Sequence, residues 1–298
     1  MELLTLHQPL PTFDTPPVLV AAIDGWTDAG SGGSAAGDAI VDAFTYQRVA
    51  TFRADALYDY RDRRPRLEID DGVLGTLTWP ELTIDAVFPP SGPPLLLLRG
   101  GEPDLHWPQV CADVIEFARA LDVRRYVGLG SVPGPIPHTR PVQVTCTGTD
   151  ESVLEAVGRT HESLVVPASF QVALEHQLAE TKISTLGMWV RIPHYVAGDY
   201  PEASRTLLER LSSLLGTPAN HAVFDEEIEA NRARLDLATQ SSDEVSEHIT
   251  QLERLYDAEH GADDDTPNGL GPMSAFDVPS GDEIAAEVER FLRGRADG

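Results

Sequence analysis

A chain of 298 residues, 42% of them hydrophobic, is long enough to bury a large core, which excludes a disordered protein and leaves one big α/β domain or a domain with an appendage. Its 22 basic residues stand against 48 acidic ones, a formal charge of −26. That charge would repel nucleic acid and anionic membrane, so neither is expected as a partner, while basic partners are permitted.

The opening stretch MELLTLHQPLPTFDTPP has no basic region and no long apolar core, so it does not read as a signal peptide. No run approaches the ~18 apolar residues of a spanning helix, and a cytoplasmic protein is expected. Lys182 is the only lysine. The abundance of Ala, Gly, Pro and Arg suggests a G+C-rich genome, and a salt-adapted source would also select an acidic surface.

Val18 to Ile23 is an unbroken aliphatic run, the pattern of a strand covered on both faces, as in parallel sheets. Asp24, Gly25, Trp26, Thr27, Asp28, Ala29 and Gly30 follow, placing two carboxylates and an aromatic at the strand's carboxyl end, where α/β sheets bind ligands. Gly32 to Gly37 then permits a helix to start close to whatever lies there. This turn reads either as small-residue packing or as an anion cradle, since Gly30, Gly32 and Ala35 fit a loose GxGxxA and Asp55 follows the strand-like run Val49 to Phe52. Against the cradle, six residues separate the strand from the glycines, whereas a dinucleotide fingerprint turns directly.

Leu57 to Pro65 reads as a charged aromatic loop, and Arg61, Arg63, Arg64 and Arg66 concentrate positive charge in an acidic chain. They are expected to meet carboxylates nearby or on another subunit, or to be solvated. Leu95 to Leu98 is a buried strand with Glu102 and His106 beyond it. Val110, Val114, Phe117 and Leu121 give the crossover helix, and Arg125 to Leu129 the next strand. In GSVPGPIPHTRP, residues 130 to 141, four prolines stiffen the loop that presents His138 and Arg140.

Val142 to Thr147 reads as a strand, 151 to 182 as mainly helical with a break at Pro167, and Ile183 to Ile192 as a further strand followed by His194. Pro201 opens a helix that Gly216 and Pro218 stop. Phe224, Ile228 and Leu235 mark another. Ser241 with Glu244 forms a capping box for a helix whose Val245, Ile249, Leu252 and Tyr256 make a seam that needs a partner surface, either the main domain or a neighbouring subunit. Residues 261 to 281 have linker composition, and Ser280 with Glu283 caps a last short helix. Cys111 and Cys146 are expected to be buried and free.

The reactive groups Asp24, Asp28, Glu102, His106, His138, Arg140 and His194 all follow strands. In a parallel sheet they lie along one edge and can line one pocket. The candidate site residues are therefore Asp28, His106, His138, Arg140 and His194. A histidine base, a carboxylate and an arginine suit hydrolysis or phosphorolysis of a small molecule, while the same groups in proline-rich turns also serve as hydrogen-bonded structure. No HExxH, GxSxG or Walker motif is present and the histidines lack metal-ligand spacing, so neither metal nor cofactor is expected.

Taken together, AIDGWTDAG, YDYRDRRP, GGEPDLHWP, LGSVPGPIPHTRP, the IPHY of residues 192 to 195, QLERLYD and GDEIAAEVERFLR span nearly the whole chain. In that order they resemble the PAC2 family, named for a proteasome assembly chaperone, and particularly its actinobacterial branch. The resemblance implies a three-layer α/β/α sandwich like that of nucleoside phosphorylases and peptidyl hydrolases, over residues 1–222. It also implies a helical C-terminal extension over 223–298, self-association into a homo-oligomer, and a role in assembling or regulating proteasomes through contacts with their subunits. It transfers no catalytic residue. Family members that dock a tail on proteasomes carry a hydrophobic residue and a penultimate tyrosine, whereas this chain ends Arg295, Ala296, Asp297, Gly298.

Two functions follow. The first is a non-enzymatic assembly or interaction factor; the second is a hydrolase or phosphorylase acting on a nucleoside or amide. Convergence of Asp28, His106, His138 and Arg140 on one cavity favours chemistry, and scattered, internally paired side chains favour scaffolding.

Overall fold

The aliphatic run before Asp24 forms a strand buried on both faces because its residues alternate between two cores. Leu19, Ala21 and Ile23 face one core, and Val18, Val20 and Ala22 face the other. This is seen in a computed structural model that describes residues 1–157, 163 and 165–260. In chain order the elements are β1 (Leu4–Leu6), β2 (Val18–Asp24), a 3-10 turn (Ala29–Ser31), α1 (Gly32–Ala43), β3 (Thr45–Phe52), α2 (Ala54–Leu57), β4 (Arg66–Asp70), β5 (Val73–Thr78), β6 (Leu82–Phe88), β7 (Leu95–Gly101) and α3 (Trp107–Ala120). They continue with β8 (Arg125–Gly134), β9 (Val144–Gly148), α4 (Glu151–Val157), α5 (Phe170–Ala179), β10 (Ser184–Pro193), α6 (Pro201–Leu215), a 3-10 turn (His221–Phe224), α7 (Asp225–Gln240) and α8 (Asp243–His260).

Eight strands make one sheet in the order β1-β3-β6-β7-β2-β8-β10-β9. α3 and α5 cover one face and α1 and α6 the other, so the expected three-layer α/β/α sandwich is present. The sheet is mixed rather than wholly parallel. β7, β2, β8 and β10 pair in parallel, while β6, β3 and β1 on one side and β9 on the other are added by antiparallel pairings. The four parallel strands are the ones ahead of the candidate residues, so the expectation of a shared edge applies where it matters. Each fully buried Leu, Val or Ile in these strands contributes about 1.5–3 kcal/mol.

Three features depart from the expectations. β1 lies in the N-terminal stretch, for which the sequence pattern gives no element. β4 and β5 form a separate two-stranded hairpin beyond the charged loop, turning at Asp71 (φ 47°) and Gly72 (φ 81°). α8 is capped by Ser242, not Ser241: the Ser242 hydroxyl accepts from the Val245 amide at 3.5 Å and its carbonyl from Ser246, while the Ser241 hydroxyl donates back to Ala238. In the seam of α8, Ile249 and Leu252 are buried within the same chain and Val245 stays exposed. The expected linker over 261–281 and the short helix after it lie outside the described residues.

Candidate functional site at the parallel-strand edge

Every parallel strand ends at the same edge, and the loops leaving it carry all five candidates. Asp28 sits in the turn between β2 and α1 and is buried. Its Oδ1 accepts from the amides of Gly33 (2.6 Å) and Ser34 (3.2 Å), and its Oδ2 from the Ser34 hydroxyl (2.5 Å). Burial pushes its pKa up, and the Ser34 and Gly33 donors oppose the rise. The first amides of α1, which an anion cradle would offer to a ligand, are thus taken by the chain's own carboxylate. Gly33 must be glycine here, because a Cβ would run into the Leu129 carbonyl of β8.

Glu102, just past β7, has the same kind of role. Its Oε2 accepts from the Trp26 amide at 2.7 Å and its Oε1 from Phe170 at 2.6 Å, so one carboxylate ties the loop after β2 to the start of α5. Nearby, Arg63 donates to the Asp24 carboxylate at 2.8 Å and to the Asp24 carbonyl at 3.1 Å. Arg61 pairs with Asp59, whereas Arg64 and Arg66 are exposed without an ion pair among the described residues. His106 holds a left-handed backbone (φ 61°) ahead of α3, and its side chain faces solvent.

His138, Arg140 and His194 gather on the far side of the edge, beneath the C-terminal helices. His138 is buried; its amide donates to the Tyr195 hydroxyl at 2.7 Å, and its Nδ1 lies 2.8 Å from the same oxygen. With that hydroxyl donating to Nδ1, the ring proton sits on Nε2, which faces Asp236 of α7 at 3.3 Å. Burial pushes the Tyr195 hydroxyl up to about 12, with the His138 amide opposing. Arg140 makes a two-pronged bond to Asp257 of α8, Nε and Nη2 each at 2.7 Å, and a third bond to Glu253 at 3.1 Å. The His194 backbone and Nδ1 are bonded to the Gly134 carbonyl, and its ring meets Tyr195 and His248 edge-on, each at 5.5 Å.

The five candidates therefore fall into three places: Asp28 inside a turn, His106 in solvent, and the other three under α7 and α8. Sequence reasoning missed the partners Tyr195, Asp236, His248, Glu253 and Asp257. The one usable signal was the Glu253–Asp257 spacing, which puts two acids on one helix face beside the seam. Among the described residues no helix is long and apolar enough to cross a membrane.

The PAC2 family model matches residues 22–238. Among solved structures, the chain is similar to a Mycobacterium tuberculosis protein of unknown function, with 34% identity over 87% of this chain and 92% of that one and a TM-score of 0.82. It is also similar to a proteasome-assembly chaperone homologue of the same organism, with 27% identity over 78% of this chain and 99% of that one and a TM-score of 0.70. A Pyrococcus furiosus archaeal proteasome activator, at 13% identity, 80% and 99% coverage and a TM-score of 0.63, shares the fold. No curated protein matches the chain.

Proposed function

Because this chain belongs to the PAC2 family, we propose that it is a non-enzymatic protein-interaction factor of the proteasome-assembly-chaperone kind, acting as a homo-oligomer. The observation that supports this reading is the condition of the strand edge. Asp28 and Glu102 are spent on backbone amides, Asp24 on Arg63, His138 on Tyr195 and Asp236, and Arg140 on Glu253 and Asp257. A catalytic pocket needs groups held ready for a substrate, and here each is satisfied by its neighbours.

The net charge of −26 would steer the chain toward a basic partner, by an attraction screened over ~10 Å at 0.1 M salt. Separately expressed α-type proteasome subunits are expected to co-purify with it at low salt and much less at high salt. Absence of binding at both, together with turnover of nucleosides or simple amides that His138→Ala abolishes, would reverse the reading in favour of a hydrolase or phosphorylase.

Self-association is supported by the β4–β5 hairpin, whose residues are all exposed. Ile69, Val73 and Leu74 are 63%, 68% and 70% exposed, far more apolar surface than an isolated two-stranded ribbon keeps in water. Arg64 and Arg66 at its base would complement an acidic second copy. The substitution pair Ile69→Asp and Leu74→Asp is expected to shift light scattering from an oligomer to a ~32 kDa particle at micromolar concentration with unchanged far-ultraviolet circular dichroism. An unchanged particle mass would remove the hairpin from the interface.

A further inference from the structure

Among the described residues β4 and β5 pair only with each other, apart from the eight-stranded sheet, and every residue of both is exposed. Each therefore presents an open edge, and the two edges differ. The register shifts between Leu67↔Leu77 and Ile69↔Leu74, so that Glu68 alone stands opposite Gly75 and Thr76. That bulge distorts β5 as an edge for a further strand and leaves β4 regular. Along β4 the side chains alternate. Leu67 and Ile69 share one face with Leu77 and Leu74, while Arg66, Glu68 and Asp70 share the other, with Arg64 two residues ahead of Arg66. Arg64, Arg66, Glu68 and Asp70 are all exposed and make no ion pair among the described residues.

We infer that β4 pairs antiparallel with β4 of a second copy about a two-fold axis through Leu67, joining two hairpins into one four-stranded sheet. The order of charges carries the inference, since two bases followed by two acids are complementary to their own reversal. In this register Arg66 stands opposite Glu68 of the other copy and Arg64 opposite its Asp70, each pair occurring twice, and opposite charges directly across a ladder stabilise it. On the other face Leu67 meets Leu67 and Ile69 meets Pro65, which has no N–H to give and ends the ladder. Neighbouring arrangements lose this match. A parallel pairing sets Arg66 against Arg66, and an axis moved one residue to Glu68 sets that carboxylate against itself. Charges that merely guard an edge against pairing need no such order.

The inference rests on the homo-oligomer reading and names the contact that makes it. A two-stranded ribbon is marginal alone, whereas four strands with one apolar face are not, and Leu67, Ile69, Leu74 and Leu77 of both copies lie on that face. Two copies that each carry a charge of −26 repel one another at long range. Arg61, Arg63, Arg64 and Arg66 place basic charge at the one end of the molecule where this pairing brings them together. The contact uses the same strand from each copy, so it closes at two chains and does not propagate.

The test is charge exchange in the full chain, read by sedimentation and light scattering. Arg66→Glu alone sets acid against acid, Glu68→Arg alone sets base against base, and each is expected to raise the dissociation constant about tenfold or more. Both substitutions in one chain restore the match and should restore association. An equal mixture of the two single variants should also associate, as a mixed pair. Both positions are exposed and unpaired within the chain, so far-ultraviolet circular dichroism should stay unchanged throughout. A second readout fixes the register: under mild oxidation Leu67→Cys should give a covalent pair and Glu68→Cys should not, the native Cys111 and Cys146 being buried. Single variants that associate as the original does, a double variant or a mixture that stays apart, or cross-linking through position 68 instead of 67 would overturn the inference. An original chain that is itself a ~32 kDa particle at micromolar concentration would remove the homo-oligomer reading and this contact together. An oligomeric original that ignores both single exchanges would remove the contact alone.

Discussion

Replacing Asp113 with alanine is expected to cost the fold about 3–5 kcal/mol, a large part of the ~5–15 kcal/mol that holds a domain together. Asp113 belongs to α3 and is buried beneath the start of the chain. Its carboxylate accepts from the amides of Glu2 (2.9 Å), Leu3 (2.6 Å) and Leu4 (3.0 Å) and from the Gln109 side chain (2.9 Å). Those backbone donors belong to β1 and the residues leading into it. Alanine would strand the buried Leu3 and Leu4 amides, each costing roughly 1–3 kcal/mol, and β1 would peel from β3. Asp113→Asn keeps one acceptor oxygen and should lose less. Chemical denaturation of the three proteins at pH 7 decides the matter, and a loss under 1 kcal/mol for alanine would show that these bonds are replaced by water.

The same carboxylate has a pH signature. Burial alone would raise its pKa, but the donated bonds from Glu2, Leu3, Gln109 and Leu4 outweigh it and leave the value below the ordinary 3.8. A depressed carboxylate stabilises above its unfolded value and loses that contribution as pH falls through the folded one, so Asp113 helps set the acid limit below about pH 4.

Glu175 works in the opposite direction, and the second large effect is expected there. It is buried on α5, with its Oε1 accepting from the Thr147 hydroxyl at 3.1 Å, which in turn accepts from the Trp189 ring nitrogen at 2.9 Å. Its Oε2 lies beside Gly187 of β10, and among the described residues no well-aligned hydrogen bond reaches it. Burial pushes the pKa up to about 7, against the opposing donors Thr147 and Gly187. A raised carboxyl contributes stability that is fully present below its unfolded value, near 4.5, and is lost as pH rises through about 7. The loss is on the order of 3 kcal/mol. Glu175→Gln should abolish this dependence, so that the variant gains on the original chain between pH 5 and pH 8 in urea unfolding. Parallel stability profiles for the two would mean that Glu175 is ionised in the folded protein at both pH values.

Neither Asp113 nor Glu175 was legible as special, whereas β2 and its turn were, and the difference is physical. The Val18 to Ile23 run carries its own burial pattern, and any strand with that composition must be covered on both faces. β1 is three residues long and is made a strand by a carboxylate about a hundred positions away, so no local pattern announces it. β4 and β5 expose both faces and lack the contrast that period-2 reading needs, although the Asp71-Gly72 pair was an available hairpin signal. At the strand edge, topology followed from the chain order and delivered the candidates to one side. What occupies them did not follow, because Asp236, Glu253 and Asp257 pair across about a hundred residues and helix sequence does not encode a distant partner.

The four tryptophans are spread over the molecule so that each reports a different event by its fluorescence. Trp79, 49% exposed and set edge-on to Tyr60 at the root of the hairpin, should shift to shorter wavelength when copies associate and return on dilution. Trp26, 68% exposed on the loop after β2, would sense a visitor to the strand edge. Trp107, half-buried against Phe170, and Trp189, buried under α5, should stay constant until the core itself melts. Single-tryptophan variants would thus separate assembly, docking and unfolding as three emission changes in one protein.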